Sequence, residues 1–126
     1  MPYKYFTDDE LRCHCGCNEQ KMDEGFMERL IALRESYGKP MVISSAYRCP
    51  EHPIERSKRT LGPHTTGMAV DVQVFGENAL ELLRMALEVG FYGIGVSQSG
   101  ARKNRFIHLD TAPQVEGRQR PWIWSY

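Results

Sequence analysis

No charge of either sign dominates this chain. Its 126 residues carry 16 Lys plus Arg against 16 Asp plus Glu, for a formal net charge of zero. The basic stripe that nucleic acid would demand is missing, so no nucleic-acid partner is expected. Long apolar runs are missing too. None approaches the ~20 residues that cross a bilayer, so membrane insertion is not expected either. The opening Met1-Pro2-Tyr3-Lys4-Tyr5-Phe6-Thr7 lacks the apolar stretch of a secretory signal. The expectation is synthesis in the cytoplasm, with help needed to reach any substrate outside it. Internal repeats, low-complexity tracts and linkers are absent. The remainder, 41% hydrophobic and 25% charged, suits a globular chain forming one domain over residues 1–126.

Cysteine is scarce and crowded. Three of the four lie in Cys13-His14-Cys15-Gly16-Cys17, and Cys49 stands alone in Arg48-Cys49-Pro50. An even count allows two disulfides, which the missing signal sequence disfavours. Thiolates also make good zinc ligands, although Cys-x-Cys-x-Cys is not the usual knuckle spacing. Free thiols in a tight turn are the third reading, and all three stay open.

Periodicity organises the rest. Phe26, Leu30, Leu33 and Tyr37 recur at helical spacing, which predicts a helix from about Asp23, its cap, to Tyr37, stopped by Gly38 and Pro40. Met41 to Ser45 reads as a short buried strand. The polar, proline-containing stretch Cys49 to Pro63 reads as an irregular surface loop. From Met68 to Phe75 the chain alternates. Met68, Val70, Val72 and Val74 share one face; Ala69, Asp71 and Gln73 share the other. A second helix is expected over Glu77 to Val89, its stripe running through Leu80, Leu83 or Arg84, and Leu87, with Gly90 as the stop. Gly93–Val96 and Arg105–Asp110 read as strands, and the tail with Trp122 and Trp124 is expected to pack back on the domain. The fold class is α+β: a small, mostly antiparallel sheet with two helices packed on one face.

His64, Asp71 and His108 carry the chemistry. Asp71 interrupts a valine-rich strand, where a carboxylate needs a cation, a hydrogen-bond network or a metal. Gly67 lets the chain turn between His64 and Asp71. On Phe106-Ile107-His108-Leu109-Asp110, His108 and Asp110 share the polar face. Two imidazoles and one carboxylate form the ligand set of a catalytic zinc that keeps a fourth position for water. Spacing alone favours a metal-free domain whose histidines are incidental, and the Asp inside a valine-rich strand shifts the balance toward zinc.

Ser45-Ala46-Tyr47-Arg48, then Pro63-His64-Thr65-Thr66-Gly67-Met68-Ala69-Val70-Asp71, then the Gly-Phe-Tyr-Gly-Ile-Gly-Val segment and Phe106-Ile107-His108-Leu109-Asp110 resemble the zinc D-Ala-D-Ala carboxypeptidase family, in particular its short bacterial and phage members. The resemblance implies a hedgehog/DD-peptidase-like fold and a Zn2+ cofactor on His64, Asp71 and His108. It implies a peptidoglycan stem peptide or cross-link as substrate, and action at the cell wall, by phage lysis or from a virion. It makes Arg48 the arginine that binds a substrate carbonyl or stabilises the oxyanion; the plain alternative is a surface salt bridge. Gly62 and Pro63 depart slightly from the family pattern before the first His. Phe106 and Arg105 occupy positions where many members carry the general base. Asp110 is a candidate for orienting His108, the role we favour, or for the base itself. Glu51, His52 and Glu55 are further substitutes for the base. The missing base keeps alive a zinc-holding module of the same fold without catalysis. A monomer is the working expectation for the assembly.

Overall fold

The computed structural model describes residues 3–126. Its elements follow the chain as α1 (Asp8–Leu11), α2 (Glu24–Tyr37), β1 (Val42–Ser45), α3 (Pro53–Arg56), β2 (Ala69–Gln73), α4 (Gly76–Val89), β3 (Gly93–Ser97), β4 (Phe106–Asp110) and β5 (Trp122–Ser125), with short 3-10 turns at Pro63–Thr66 and Arg102–Asn104. The strands form one mixed sheet in the order β1-β2-β4-β3-β5. All neighbours are antiparallel except β5, which runs parallel to β3. The protein is thus α+β. Among the described residues, no helix is long and apolar enough to cross a membrane.

The alternation along β2 and β4 divides the sheet into two faces. Val70, Val72, Ile94, Ile107 and Leu109 join the buried cluster beneath α2 and α4, while Asp71, His108 and Asp110 occupy the opposite face. Helix α2 begins where Asp23 accepts a hydrogen bond from the Phe26 N–H at 2.8 Å. It ends at Gly38 in the left-handed region. Its buried Phe26, Met27, Leu30, Leu33 and Tyr37 contain the expected stripe. Phe26 meets Phe91 edge to face, with ring centres 5.6 Å apart, a favourable aromatic geometry.

Three expectations are corrected. Helix α4 buries Ala79, Leu82 and Ala86, while Leu80 and Leu87 are exposed. The buried stripe runs through positions 79, 82 and 86, one residue before the expected 80, 83 and 87, so Leu82 is buried while Leu80 and Leu87 face outward. Strand β1 is an edge strand with only Ile43 buried among its four residues. The stretch from Cys49 to Pro63 is not merely a surface loop: it contains α3 and buries Glu55 completely. The tail packs back as expected, but as a strand, β5. Helix α1 was also legible and missed, since Thr7 and Glu10 form a capping box.

Gly67 ties the two halves together. Its carbonyl accepts the Asp23 N–H at 2.9 Å, which anchors the start of α2 to the turn carrying His64. Its φ is +74°, and a Cβ there would lie 2.1 Å from the Lys21 carbonyl oxygen. Gly38, at φ +71°, has open space around it. Gly38→Ala is therefore expected to cost only the strain of a left-handed alanine, ~1 kcal/mol. Gly67→Ala adds a backbone collision and is expected to cost at least ~2 kcal/mol more. Urea denaturation of the two variants checks this, and equal losses would contradict the proposed packing of Gly67.

Candidate metal centre

The register of the sheet brings the polar residues together. Asp71 on β2 lies directly opposite His108 on β4, and His108 lies opposite Gly95 on β3. Opposed residues on one face have neighbouring side chains. The His108 Nδ1 comes within 3.0 Å of Asp71 Oδ1. A bulge between Ile43 and Ser45 shifts the end of β1, and the extended segment that follows meets the 3-10 turn. There the Arg48 N–H donates to the His64 carbonyl at 3.2 Å, and His64 Nδ1 lies 2.7 Å from the Ala46 carbonyl oxygen. This pairing gives the Ser45-Ala46-Tyr47-Arg48 stretch its role: it positions His64 through its backbone and Arg48 through its side chain. His64 Nε2 ends 3.3 Å from the same Asp71 Oδ1. All three residues are buried, and their ligating atoms lie within 4.8 Å of one another.

The tautomers follow from the partners. A carbonyl only accepts, so His64 Nδ1 carries its proton toward Ala46. His108 Nε2 faces Asp110 Oδ2 at 2.6 Å, and a proton there satisfies the carboxylate. In neutral rings, the nitrogens that face Asp71 then present lone pairs to a carboxylate oxygen. Three acceptors converge on one region and repel unless protons or a cation lie between them. Burial pushes His64 below the usual imidazole range, which disfavours the proton solution for that ring near neutrality. Burial also lowers His108, but the hydrogen bonds to Asp110 and Asp71 outweigh it and the group is raised. For Asp71, burial raises the carboxyl, yet the His108 and His64 contacts prevail and hold it below the usual carboxylate range. The donor set, its convergence and the fixed outer nitrogens fit a divalent metal ion.

Around these three, each remaining acid is tied. Asp110 is fully buried. It accepts two hydrogen bonds from Arg120, Nε at 2.9 Å and Nη2 at 2.7 Å, and one from the Ala112 N–H at 3.2 Å. Burial raises its carboxyl, but His108 and Arg120 lower it further, so it stays ionised. Arg120 is the main residue that sequence reasoning missed. It arrives on an irregular return segment, and no periodic signal marks it. Trp124, with Trp122 and Tyr126, reads from the sequence as an apolar rim of the cleft or as part of the core. Its indole lies against the His108 ring, with centres 5.0 Å apart, over Gly95, where a Cβ would fall 2.6 Å from the indole nitrogen. A cleft of about 470 Å³ opens beside the rings, walled by Arg48, Lys58, Trp124 and Tyr126.

Arg48 lines this cleft and is also held by a buried acid. Its Nη1 lies 3.2 Å from Glu55 Oε2, and its Nη2 lies 3.8 Å from Asp71 Oδ2. Glu55 further accepts from Lys58 at 3.2 Å and from the Gly62 N–H at 2.8 Å. Its carboxylate is committed to fixing Arg48 and the loop. His52 caps α3 by accepting the Ile54 N–H, and Glu51 is exposed. Neither they nor Glu55 line the cleft. For Glu55, burial raises the carboxyl, but the Gly62 N–H, Lys58 and Arg48 outweigh it, and the group lies below its ordinary value of 4.5. Its contribution to stability is therefore complete above pH 4.5 and fades as pH falls through the lower folded value. Glu55→Gln is expected to lower stability by ~1–3 kcal/mol at pH 7. The gap to the unsubstituted chain should narrow only below about pH 4.5. Chemical denaturation at stepped pH checks both.

Comparison with curated proteins yields no match. A family model described as Peptidase M15 matches residues 4–110. The matched span contains Arg48, His64, Asp71, His108 and Asp110, and it stops before Arg120 and Trp124. With a match over most of its length, the chain belongs to the Peptidase M15 family.

Proposed function

We propose that this M15 peptidase is a zinc metallopeptidase acting on bacterial peptidoglycan, with Zn2+ held by His64, Asp71 and His108. The observation that carries the reading is the meeting of two imidazole nitrogens at one oxygen of Asp71, each ring pinned from behind by Ala46 or Asp110. When bound, the ion supplies Lewis acidity, polarising a scissile carbonyl and acidifying water. The protein residues do the rest. Asp110, kept ionised by Arg120, fixes the tautomer and plane of His108. Arg48, braced by Glu55, meets the negative charge that develops on the carbonyl oxygen. Trp124 and Tyr126 exclude water from one wall, and Lys58 offers a cation to a substrate carboxylate. The cleft suits a short peptide segment. The substrate is a stem peptide or cross-link, cut as a D-Ala-D-Ala carboxypeptidase or as an endopeptidase. The setting is the cell wall, as in phage lysis or a virion-associated role, and one copy suffices.

A second reading rests on a specific observation. Among the residues lining the cleft, the only carboxylate is Asp71, and Glu55 and Asp110 are both saturated with donors. A zinc-holding module without catalysis would look the same. Digestion of purified muropeptides, followed by mass spectrometry, separates the two and identifies the bond. The peptidase reading expects product that is abolished by a chelator, restored by zinc, and reduced to background in His108→Ala. A zinc-loaded chain that leaves muropeptides intact favours the module. Arg48→Ala is expected to lower kcat by ~10²–10³-fold with bound zinc unchanged. Arg48→Lys, which leaves Glu55 a cationic partner, should fall between. Unaltered kcat in both would remove Arg48 from the chemistry.

A further inference from the structure

The peptidase reading leaves four cysteines unused. All are free thiols, Cys13 and Cys49 buried, Cys15 and Cys17 exposed. Their sulfurs lie within 4.8 Å of one another. The Cys13–Cys49 separation is 3.7 Å and the Cys15–Cys49 separation is 3.4 Å. Four sulfurs set tetrahedrally at ~2.3 Å around a zinc ion are ~3.8 Å apart, so little movement would be needed to ligate one. We propose that Cys13, Cys15, Cys17 and Cys49 hold a second, structural Zn2+, distinct from the His and Asp site.

Three observations support this beyond proximity. First, backbone amides are already aimed at two of the sulfurs. The Cys49 N–H donates to Cys13 Sγ at 3.3 Å and the Glu19 N–H to Cys17 Sγ at 3.4 Å. Amide hydrogen bonds to sulfur stabilise thiolates in metal–thiolate centres. Second, the disulfide alternative uses the cluster badly. Cys49 can pair only once, so two disulfides would force another bond inside Cys13-His14-Cys15-Gly16-Cys17, whereas an ion uses all four sulfurs together. Third, the segment buries little of itself. The Cys13 N–H closes on the Glu19 carbonyl at 2.8 Å, and between them residues 14–18 are all exposed. His14 is not part of the ligand set, since its ring nitrogen is engaged with the Asp9 carbonyl at 2.9 Å.

The ion would staple the N-terminal segment to the strand end that carries the cleft. Cys49 follows Arg48 directly, and the Tyr47 N–H donates to the Leu11 carbonyl at 3.1 Å. Binding releases each thiol proton to solvent and changes no oxidation state. It would fix the backbone under Arg48 without contributing to the cleft itself.

Metal content of the full chain, purified under reducing conditions with zinc supplied, tests this. Two zinc equivalents are expected in the unsubstituted chain. One is expected in the His64→Ala/His108→Ala variant and one in the Cys15→Ser/Cys17→Ser variant, whose changes are at exposed positions. Cobalt substitution gives a readout independent of substitution: sulfur-to-cobalt charge-transfer absorption is expected in the unsubstituted and His variants and absent from the Cys variant. A single equivalent that disappears with the histidines, without that absorption, overturns the thiolate site and leaves the peptidase site standing. A single equivalent that survives the His substitutions does the reverse. An intact mass lower by four hydrogens, showing two disulfides, also overturns the thiolate site.

Discussion

Asp71 is the constraint around which the cleft is organised. A carboxylate inside a valine-rich strand is costly to bury without compensation, and the surrounding charges are not spread evenly. Glu55 has Arg48, Lys58 and the Gly62 amide. Asp110 has both donors of Arg120 and the Ala112 amide. Asp71 has Arg48 at 3.8 Å and two imidazole nitrogens, of which the one on His64, a ring held below its usual range by burial, presents a lone pair. Its neighbours are neutralised by cations in direct hydrogen-bond contact, whereas Asp71 has its cation at 3.8 Å and an imidazole lone pair facing it. That imbalance fits a candidate ion site, because two ring nitrogens and one carboxylate give a dication both charge and ligands.

The aromatic tail completes the site from a distance in sequence. Glycine at positions 93 and 95 removes side chains from the open face of β3 where Asp110, Arg120 and Trp124 must lie. A Cβ at Gly93 would fall 1.9 Å from Asp110 Oδ1. The row Asp71, His108, Gly95 and Trp124 runs across four strands in register. The indole covers the His108 ring, and the Arg120 guanidinium sits 5.1 Å from the indole centre. The second ring of contacts, Asp110 to Arg120 to Trp124, thus depends on a parallel strand added at the sheet edge.

Helix α2, strands β2 and β4 and the polarity of their faces were legible because a strong period survives in each. Asp71 and His108 stood out because polar side chains interrupt apolar strands, and His64 because the Gly67 turn leads from it to Asp71. Their convergence was not legible from spacing, since it depends on the β2–β4 register and on a bulge in β1, neither of which leaves a local mark. The stripe of α4 lies one residue off the expected phase, because leucines at 80, 82, 83 and 87 leave two neighbouring faces of similar hydrophobicity and only packing selects the one with Ala79, Leu82 and Ala86. Arg120 left no trace at all. Its significance exists only once the return segment has folded over Asp110. Glu55 was read as a loop carboxylate because burial of a charge by three donors cannot be seen in one dimension.

The charge pattern of the cleft also bears on what it admits. Two cations, Arg48 and Lys58, line it beside the rings of Phe106, Trp124 and Tyr126, and the one acid there points at the imidazoles. An incoming peptide with a free carboxylate finds complementary charge, while one with an extra cation finds Arg48 and Lys58 already paired to Glu55 and little acid left to meet it. Desolvated charge mismatches are more discriminating than apolar misfits, because an unpaired buried charge has no substitute for water. On the proposed reading, discrimination therefore begins with Glu55. By fixing both cations from inside the loop, it sets the sign of the wall and the distance at which a substrate oxygen can meet Arg48.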